Sequence, residues 1–147
     1  MIVLVHHGEA VGPDVDPMRP LSVAGRARAG HLAGEAAARG VRPELIWHSG
    51  KLRARETAEL FRRACGPPAA SSARRGLQPD DPPAWIRDEL AGDPRSIMLV
   101  GHMPHLARLL RLLRGDATDG APDFPPHGCV ALERDGDGWK ELWRLSG

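Results

Sequence analysis

Residues 2–9, Ile-Val-Leu-Val-His-His-Gly-Glu, begin with a continuous apolar run and end in polar side chains. An unbroken run of this kind is typical of a strand that is buried on both faces, as in a parallel sheet. Gly8 permits a tight turn directly after the strand. The stretch therefore predicts a buried strand whose carboxyl end carries two adjacent imidazoles.

The same pattern occurs twice more along the chain. Residues 45–47, Leu-Ile-Trp, are followed by His48-Ser49-Gly50, and residues 96–100, Ser-Ile-Met-Leu-Val, are followed by Gly101-His102. Each run is short, apolar and ended by a glycine with polar neighbours. Three buried strands with polar carboxyl ends are therefore predicted.

Helical patterns lie between these strands. Ser22 is a suitable cap for the first helix, and Gly40 is a suitable stop. The predicted helices cover residues 22–39, 52–64, 84–91 and 104–113. The stretch 66–83 is rich in proline and is predicted to be a loop, with one short edge strand near Arg75–Leu77.

The end of the chain predicts a β-hairpin after a loop over residues 115–126. Cys129–Arg134 and Trp139–Leu145 alternate around a turn at residues 135–138. Together these patterns predict a three-layer α/β/α sandwich, with a mostly parallel central sheet and a C-terminal antiparallel hairpin. The 147 residues match the usual size of one domain, so residues 1–147 are predicted to form a single domain.

Composition excludes several classes of function. The 20 Lys and Arg nearly balance the 19 Asp and Glu, which argues against a nucleic-acid binder. No apolar run approaches the ~20 residues of a membrane span. Cys65 and Cys129 form no zinc motif and are expected to be reduced thiols. The first ten residues lack the basic start of a secretory signal, so a cytoplasmic protein, active as a monomer, is expected.

The polar residues at the three strand ends are expected to meet in one crevice, because ligands bind beyond the carboxyl ends of parallel strands. They are His6 and His7, then Ser49 with Arg53 one turn into the next helix, and then His102. Imidazoles and a guanidinium beside helix N-termini suit a phosphoryl group. A neutral imidazole can attack phosphorus, and arginine offers paired donors to phosphate oxygens.

Four blocks of sequence carry a resemblance to a known family. They are Val3–Ala10 (VLVHHGEA), Arg19–Ser22 (RPLS) followed by Gly25, Ser49–Ala58 (SGKLRARETA), and Leu99–His105 (LVGHMPH). In this order they resemble the histidine phosphatase superfamily, which has the phosphoglycerate-mutase-like fold. The short stretch between Arg53 and His102 most resembles the small bacterial phosphohistidine phosphatases, whose site is shallow and open.

The resemblance implies a role for each matching residue. It makes His7 the nucleophile that holds a transient phosphohistidine. It makes Arg53 and His102 the catalytic groups that bind the equatorial oxygens, with Arg19 as a further positive contact. The remaining residues assigned to phosphate binding are His6, Gly8 and Ser49. Neither a metal nor another cofactor is implied.

An ester substrate also needs an acid that protonates the leaving oxygen. Glu9, Asp80, Asp81 and Glu89 are all candidates, and the sequence does not choose among them. Glu9 is the candidate named for the general acid. The competing interpretation is that its side chain makes only a local hydrogen bond. A phosphohistidine leaves as imidazole and depends less on such an acid.

One position departs from the family pattern. His6 stands where the family signature has arginine, so the site loses a fixed charge and a bidentate donor. If His6 supports phosphate only when protonated, the protein is a slower or more acid-preferring phosphatase. Among the other histidines, His48 and His127 carry weak signals, and His105 is expected to pack or cap.

The leading hypothesis is a metal-independent phosphatase that acts on phosphohistidine in a protein. A phosphatase of the same fold that acts on small phosphate esters is the first alternative. A catalytically silent module that binds phosphate or a phosphoprotein is the second, and the His6 replacement favours it. The expected partner is in each case phosphate or a phosphorylated molecule.

Overall fold

Six strands and four helices are present in the computed structural model, which describes residues 1–66, 70–116 and 123–147. The strands are β1 (Ile2–His6), β2 (Leu45–His48), β3 (Ala70–Ala73), β4 (Ile97–Gly101), β5 (Cys129–Asp135) and β6 (Gly138–Leu145). The helices are α1 (Val23–Ala38), α2 (Leu52–Cys65), α3 (Pro83–Ala91) and α4 (His105–Arg114).

The strands form one mixed sheet in the order β3-β2-β4-β1-β5-β6. The first four strands in this order are parallel, while β5 is antiparallel to β1 and β6 is antiparallel to β5. The predicted mostly parallel sheet with a C-terminal hairpin is therefore confirmed.

Alternation along β1 divides the apolar core into two clusters, one on each face of the sheet. Val3 and Val5 pack in a cluster with buried residues of α1 and α2. Ile2 and Leu4 pack in a cluster with buried residues of α3 and α4. Because successive strand side chains point to opposite faces, both faces of the sheet are covered by helices. This is the predicted three-layer arrangement.

The edge strand lies at Ala70–Ala73, so its prediction near Arg75–Leu77 was wrong. All four residues of β3 are exposed and small, and they offer no apolar alternation that would mark a strand. At the predicted position the chain instead turns at Gly76, whose φ is +99°, and buries Leu77 in the core. Residues 67–69 and 117–122 of the two predicted loops lie outside the described residues.

A bulge in β6 gives its two tryptophans different neighbours. Ala131 pairs with Trp143 but Leu132 pairs with Glu141, so Leu142 is an extra residue in β6. Trp139 consequently packs on the cluster beside α3 and α4, and Trp143 on the cluster beside α1 and α2. Both contribute to the core, but from opposite faces of the sheet.

The start of α1 is held tightly against the loop that follows β1. Ser22 caps the helix by accepting a hydrogen bond from the Gly25 N–H at 2.9 Å, and the Ser22 N–H donates to the Glu9 carbonyl at 2.9 Å. A Cβ on Gly25 would lie 2.0 Å from that carbonyl oxygen, so only glycine fits. This contact fixes the path of the loop that carries Arg19.

Within the described residues, no helix combines the length and the apolar character that crossing a membrane requires.

Candidate active site

The carboxyl ends of β1, β2 and β4 lie side by side in the sheet. His6 is paired with Gly101, and the His7 N–H donates to the Gly101 carbonyl at 3.1 Å. On the other side of β4, His48 is in register with Val100. The chain segments that leave these strands therefore place His7, Ser49 and His102 at one edge, as predicted.

Four imidazoles cluster at this edge. The ring centroid of His7 lies 4.6 Å from that of His6, 5.0 Å from that of His102 and 5.9 Å from that of His127. The rings of His6 and His127 are stacked, with centroids 4.6 Å apart and planes inclined by 9°.

The His7 ring is held in the form that a nucleophile requires. Its Nδ1 lies 2.7 Å from the carbonyl oxygen of Gly8. Because a carbonyl only accepts, Nδ1 carries the hydrogen, and Nε2 of the neutral ring keeps a free lone pair. Burial lowers the pKa of His7 to about 4, with smaller contributions from the cationic Arg53 and Arg19. The ring is thus neutral at neutral pH.

The His102 ring is buried and fixed by Ser49. Nε2 of His102 lies 2.6 Å from Oγ of Ser49. Burial, together with the nearby His7 and Arg53, lowers the pKa of His102 to about 3. The Ser49 hydroxyl also accepts the Lys51 N–H at 3.3 Å, so it contacts both the site and the start of α2.

Two guanidiniums lie beside the imidazoles without a counter-charge. Nε of Arg53 is buried and has no hydrogen-bond partner. Burial and the neighbouring Arg19 lower the pKa of Arg53. Arg19 donates from Nε to the Val11 carbonyl at 3.0 Å, and neither arginine forms an ion pair with a carboxylate in the described parts of the chain. Two cations and an unsatisfied donor in one place form a site for an anion.

His6 is not a substitute cation. Burial, together with His7 and His127, lowers the pKa of His6 to about 3. Its Nδ1 accepts the backbone N–H of His127 at 2.8 Å, so the neutral ring carries its hydrogen on Nε2. The surroundings disfavour the charged form of His6 on which the hypothesis of an acid-preferring phosphatase depends, and that hypothesis stays a prediction. What His6 offers an anion is a neutral N–H donor.

The backbone N–H of Gly8, a residue assigned to phosphate binding from the sequence, is occupied within the protein. Its N–H already donates to Oγ1 of Thr57 at 2.9 Å, and Thr57 donates in turn to the Arg53 carbonyl at 2.8 Å. A Cβ at Gly8 would lie 3.2 Å from the Gly25 carbonyl oxygen. Gly8 therefore supports the site by close packing and by linking β1 to α2.

The candidate acids are occupied elsewhere or exposed. Oε1 of Glu9 accepts the Ser22 hydroxyl at 2.9 Å, which supports the local interpretation. Asp81 accepts the Gln78 N–H at 3.0 Å, Glu89 pairs with Arg74 at 2.6 Å, and Asp80 is exposed. Within residues 1–66, 70–116 and 123–147, no carboxylate raises the pKa of His6, His7 or His102.

His127 is the member of the cluster that the sequence interpretation underrated. It lies just before β5, the antiparallel neighbour of β1, with a positive φ of 51°. Its Nδ1 lies 2.7 Å from the carbonyl oxygen of His7. The available signal was its position ahead of a strand at the rim of the sheet, but only the pairing of β5 with β1 places it beside His7.

Three of these imidazoles lie close enough together to bind one metal ion. One ring nitrogen each of His6, His7 and His127 lies within 4.8 Å of the others. His7 and His127 each keep Nε2 available, since Nδ1 is bonded to a carbonyl. His6 fits poorly, because its hydrogen-bonded Nδ1 leaves the hydrogen on Nε2. A divalent cation here would occupy the lone pair of His7.

Comparison with known proteins agrees with this geometry. No model of a protein family and no curated protein matches the chain. A solved structure of the protein histidine phosphatase SixA complexed with tungstate matches with a TM-score of 0.86 at 20% identity, over 99% of this chain and 96% of that chain. A protein from Agrobacterium tumefaciens, assigned as the phosphohistidine phosphatase SixA, matches with a TM-score of 0.81 at 27% identity, over 99% and 97%.

A mycobacterial glucosyl-3-phosphoglycerate phosphatase is also similar, with a TM-score of 0.73 at 18% identity over 99% of each chain. The fold is thus phosphoglycerate-mutase-like, and the resemblance to the histidine phosphatase superfamily is confirmed. Three of the matching structures carry the SixA name, in agreement with the small phosphohistidine phosphatase branch.

Proposed function

We propose that the protein is a metal-independent phosphatase that removes phosphate from histidine-phosphorylated proteins, with His7 as its nucleophile. The observation that carries the proposal is the buried, unpartnered Nε of Arg53 beside a neutral His7 whose Nε2 is free. An anionic phosphoryl group satisfies that donor and presents phosphorus to the lone pair.

The chemistry follows from these positions. Nε2 of His7 attacks phosphorus, and the bond to the leaving group breaks as the bond to His7 forms. Arg53, Arg19 and the N–H of His6 stabilise the charge on the equatorial oxygens, and Ser49 holds His102 for the same purpose. Water then attacks phosphorus, which releases phosphate and restores the lone pair of His7.

Two features favour phosphohistidine over an ordinary ester. No carboxylate contributes to the pKa of His7 or of His102 in the part of the chain that is described, so a leaving group that departs as imidazole suits the site best. The second feature is the short chain between β2 and β4. Its described elements are α2, β3 and the nine-residue α3, and they include no inserted domain that could cover the site. A site without a large cover is accessible to a phosphorylated side chain on a folded protein.

Two alternatives remain testable. The similarity to a phosphatase of a phosphorylated sugar acid supports a small ester as substrate. The neutral His6 in place of a fixed cation supports a silent module that binds phosphate or a phosphoprotein.

The test is phosphate release from a histidine-phosphorylated protein and from para-nitrophenyl phosphate. We expect His7→Ala to abolish release from the phosphoprotein, while His31→Ala, an exposed site on α1, retains it. A higher kcat/KM for para-nitrophenyl phosphate than for the phosphoprotein would favour the small-ester alternative. Phosphate binding without turnover of either substrate would favour the silent module.

A further inference from the structure

We propose that His127 is the proton donor to the leaving group and the proton acceptor from the attacking water. This inference rests on the proposed function and assigns the acid and base that the candidate carboxylates do not supply. It concerns a residue outside the four sequence blocks and outside the signature of the resembling family.

The first argument is how the His127 ring is held. Its Nδ1 lies 2.7 Å from the His7 carbonyl, which can only accept, so Nδ1–H persists whether the ring is neutral or cationic. Only Nε2 therefore changes its protonation. The ring can give and take a proton there without losing its anchor, as the general base of a catalytic triad does.

The second argument is position. The His127 ring centroid is 5.9 Å from that of His7, and a ring nitrogen of each lies within 4.8 Å of the other. A leaving atom or a water on the far side of a phosphoryl group bound to His7 can therefore come within hydrogen-bond distance of a ring nitrogen of His127. The stacked His6 ring limits movement of His127 on its other side.

The third argument is that the other imidazoles are committed. His7 supplies the attacking lone pair, Nδ1 of His6 accepts an amide hydrogen, and Nε2 of His102 is bonded to Ser49. Each of the three is kept neutral by burial. His127 is the remaining member of the cluster, and it lies at the rim.

The steps balance as follows. Nε2 of His7 bonds to phosphorus, the bond from phosphorus to the leaving atom breaks, and that atom takes the proton from Nε2 of cationic His127. Water then bonds to phosphorus and passes its proton to neutral His127, and the bond from phosphorus to His7 breaks. Both rings return to their starting states.

Titratable and charged groups face the His127 ring from β1, from the loop after β1 and from α1. His6 faces it from the end of β1, and His7 and Glu9 face it from the loop after β1. Arg28 of α1 lines the same small cavity of about 20 Å³ beside the ring. A variant that tests His127 must leave these groups unchanged.

The test variant is His127→Asn. Asparagine tolerates the positive φ of 51°, and its side-chain amide can still donate to the His7 carbonyl, but it has no Nε2 that titrates. The control is His31→Asn, at an exposed site on α1. Each protein is assayed with para-nitrophenyl phosphate and with phenyl phosphate. The phenolate that leaves from phenyl phosphate is more basic than para-nitrophenolate and therefore depends more on protonation by an acid. All assays contain a chelator.

We expect His127→Asn to lower kcat/KM for phenyl phosphate about 10²-fold or more, the usual scale of general acid catalysis, and for para-nitrophenyl phosphate about tenfold or less. The alkaline decline of the wild-type rate on phenyl phosphate should also disappear. The assignment would be overturned if His127→Asn lost the same factor in kcat/KM on both substrates or lost none on either. It would also be overturned if the wild-type protein hydrolysed para-nitrophenyl phosphate but not phenyl phosphate. Abolition of wild-type activity by the chelator would overturn it as well.

A spectroscopic measurement separates this inference from the proposed function. In ¹⁵N-labelled protein, Nδ1 of His127 should stay protonated while Nε2 titrates. A neutral ring protonated at Nε2 overturns the role of His127 even if the protein is an active phosphatase. If the expected titration is seen but neither ester nor phosphoprotein is turned over, the proposed function has failed instead.

Discussion

The hydrogen bond from the His127 amide to Nδ1 of His6 decides what His6 can do. It accounts for one ring nitrogen and leaves an N–H on the other, so His6 supplies a directed donor without a charge. In the arginine position of the family pattern, this would leave one donor for the phosphoryl group of the proposed reaction. Fixed positive charge near the imidazoles then comes from Arg53 and Arg19.

Two isosteric substitutions separate the nitrogens of His6. His6→Gln places an N–H near the position of Nε2, while His6→Asn keeps an acceptor near the position of Nδ1. We expect His6→Asn to lower kcat about 10²-fold, as the removal of one oxyanion donor does, and His6→Gln to lower it less. Steady-state kinetics between pH 5.5 and 8 provide the measurement. A larger loss in His6→Gln would show that the hydrogen bond to His127 matters more than the donor.

Residue types at strand ends allowed much of the site to be predicted. His7, Ser49 and His102 follow apolar runs, and parallel strands bring such ends together by geometry alone. The protonation states could not be predicted, because they depend on hydrogen bonds between residues distant in sequence. The amide of His127 is 121 positions from His6.

At the scale of elements, the close contact between α1 and the loop after β1 positions Arg19. The Leu21 N–H donates to Oε1 of Glu56 at 2.9 Å, which ties the same loop to α2. A change at the start of α1 therefore acts on the site through the backbone.

Gly25→Ala tests that connection against Gly30→Ala on the same helix. A Cβ at Gly25 meets the Glu9 carbonyl oxygen at 2.0 Å, whereas a Cβ at Gly30 meets nothing within 4 Å. We expect Gly25→Ala to lower the free energy of unfolding by about 1–3 kcal/mol and to reduce activity. Gly30→Ala should raise that free energy by up to about 1 kcal/mol. Urea unfolding measures both, and equal effects would contradict the contact.

The predictability of elements depended on how much apolar surface each one buries. Helices and buried strands have patterns that persist over several residues, so their positions were predicted within one or two residues. The strand β3 is exposed along its length and is specified by pairing with β2, which no local pattern reveals. The bulge at Leu142 escaped prediction for a similar reason, since it depends on the partner strand.

At the scale of the whole molecule, several buried neutral histidines make stability depend on pH. Burial lowers the pKa of His6 and His102 to about 3 and that of His7 to about 4. The pKa of His105, fully buried with both ring nitrogens unpartnered, is also lowered. The unfolded chain takes up these protons near pH ~6.5, and the folded chain only at lower pH.

The free energy of unfolding should therefore be highest above pH ~6.5 and should fall continuously as the pH decreases towards 4. The lowered pKa values of Glu59 and Asp93, about 2 each, act in the same direction but mainly below pH ~4.5. Urea unfolding between pH 4.5 and 7.5, in buffer without phosphate, measures the slope. His105→Leu should reduce that slope, and a constant free energy over this range would contradict the interpretation.

The bulge at Leu142 has a consequence for which changes of chain length the protein can accept. Outer strands of a sheet usually tolerate the gain or loss of a residue better than central ones, because they have one neighbour. Loss of Leu142 would leave Glu141 paired with Leu132 and Trp143 paired with Ala131 as consecutive pairs, so Trp143 and Leu145 would stay on the cluster beside α1 and α2. The chain can therefore shorten by one residue at Leu142 without exposing Trp143, and homologous sequences should differ in length by one residue at this point of β6.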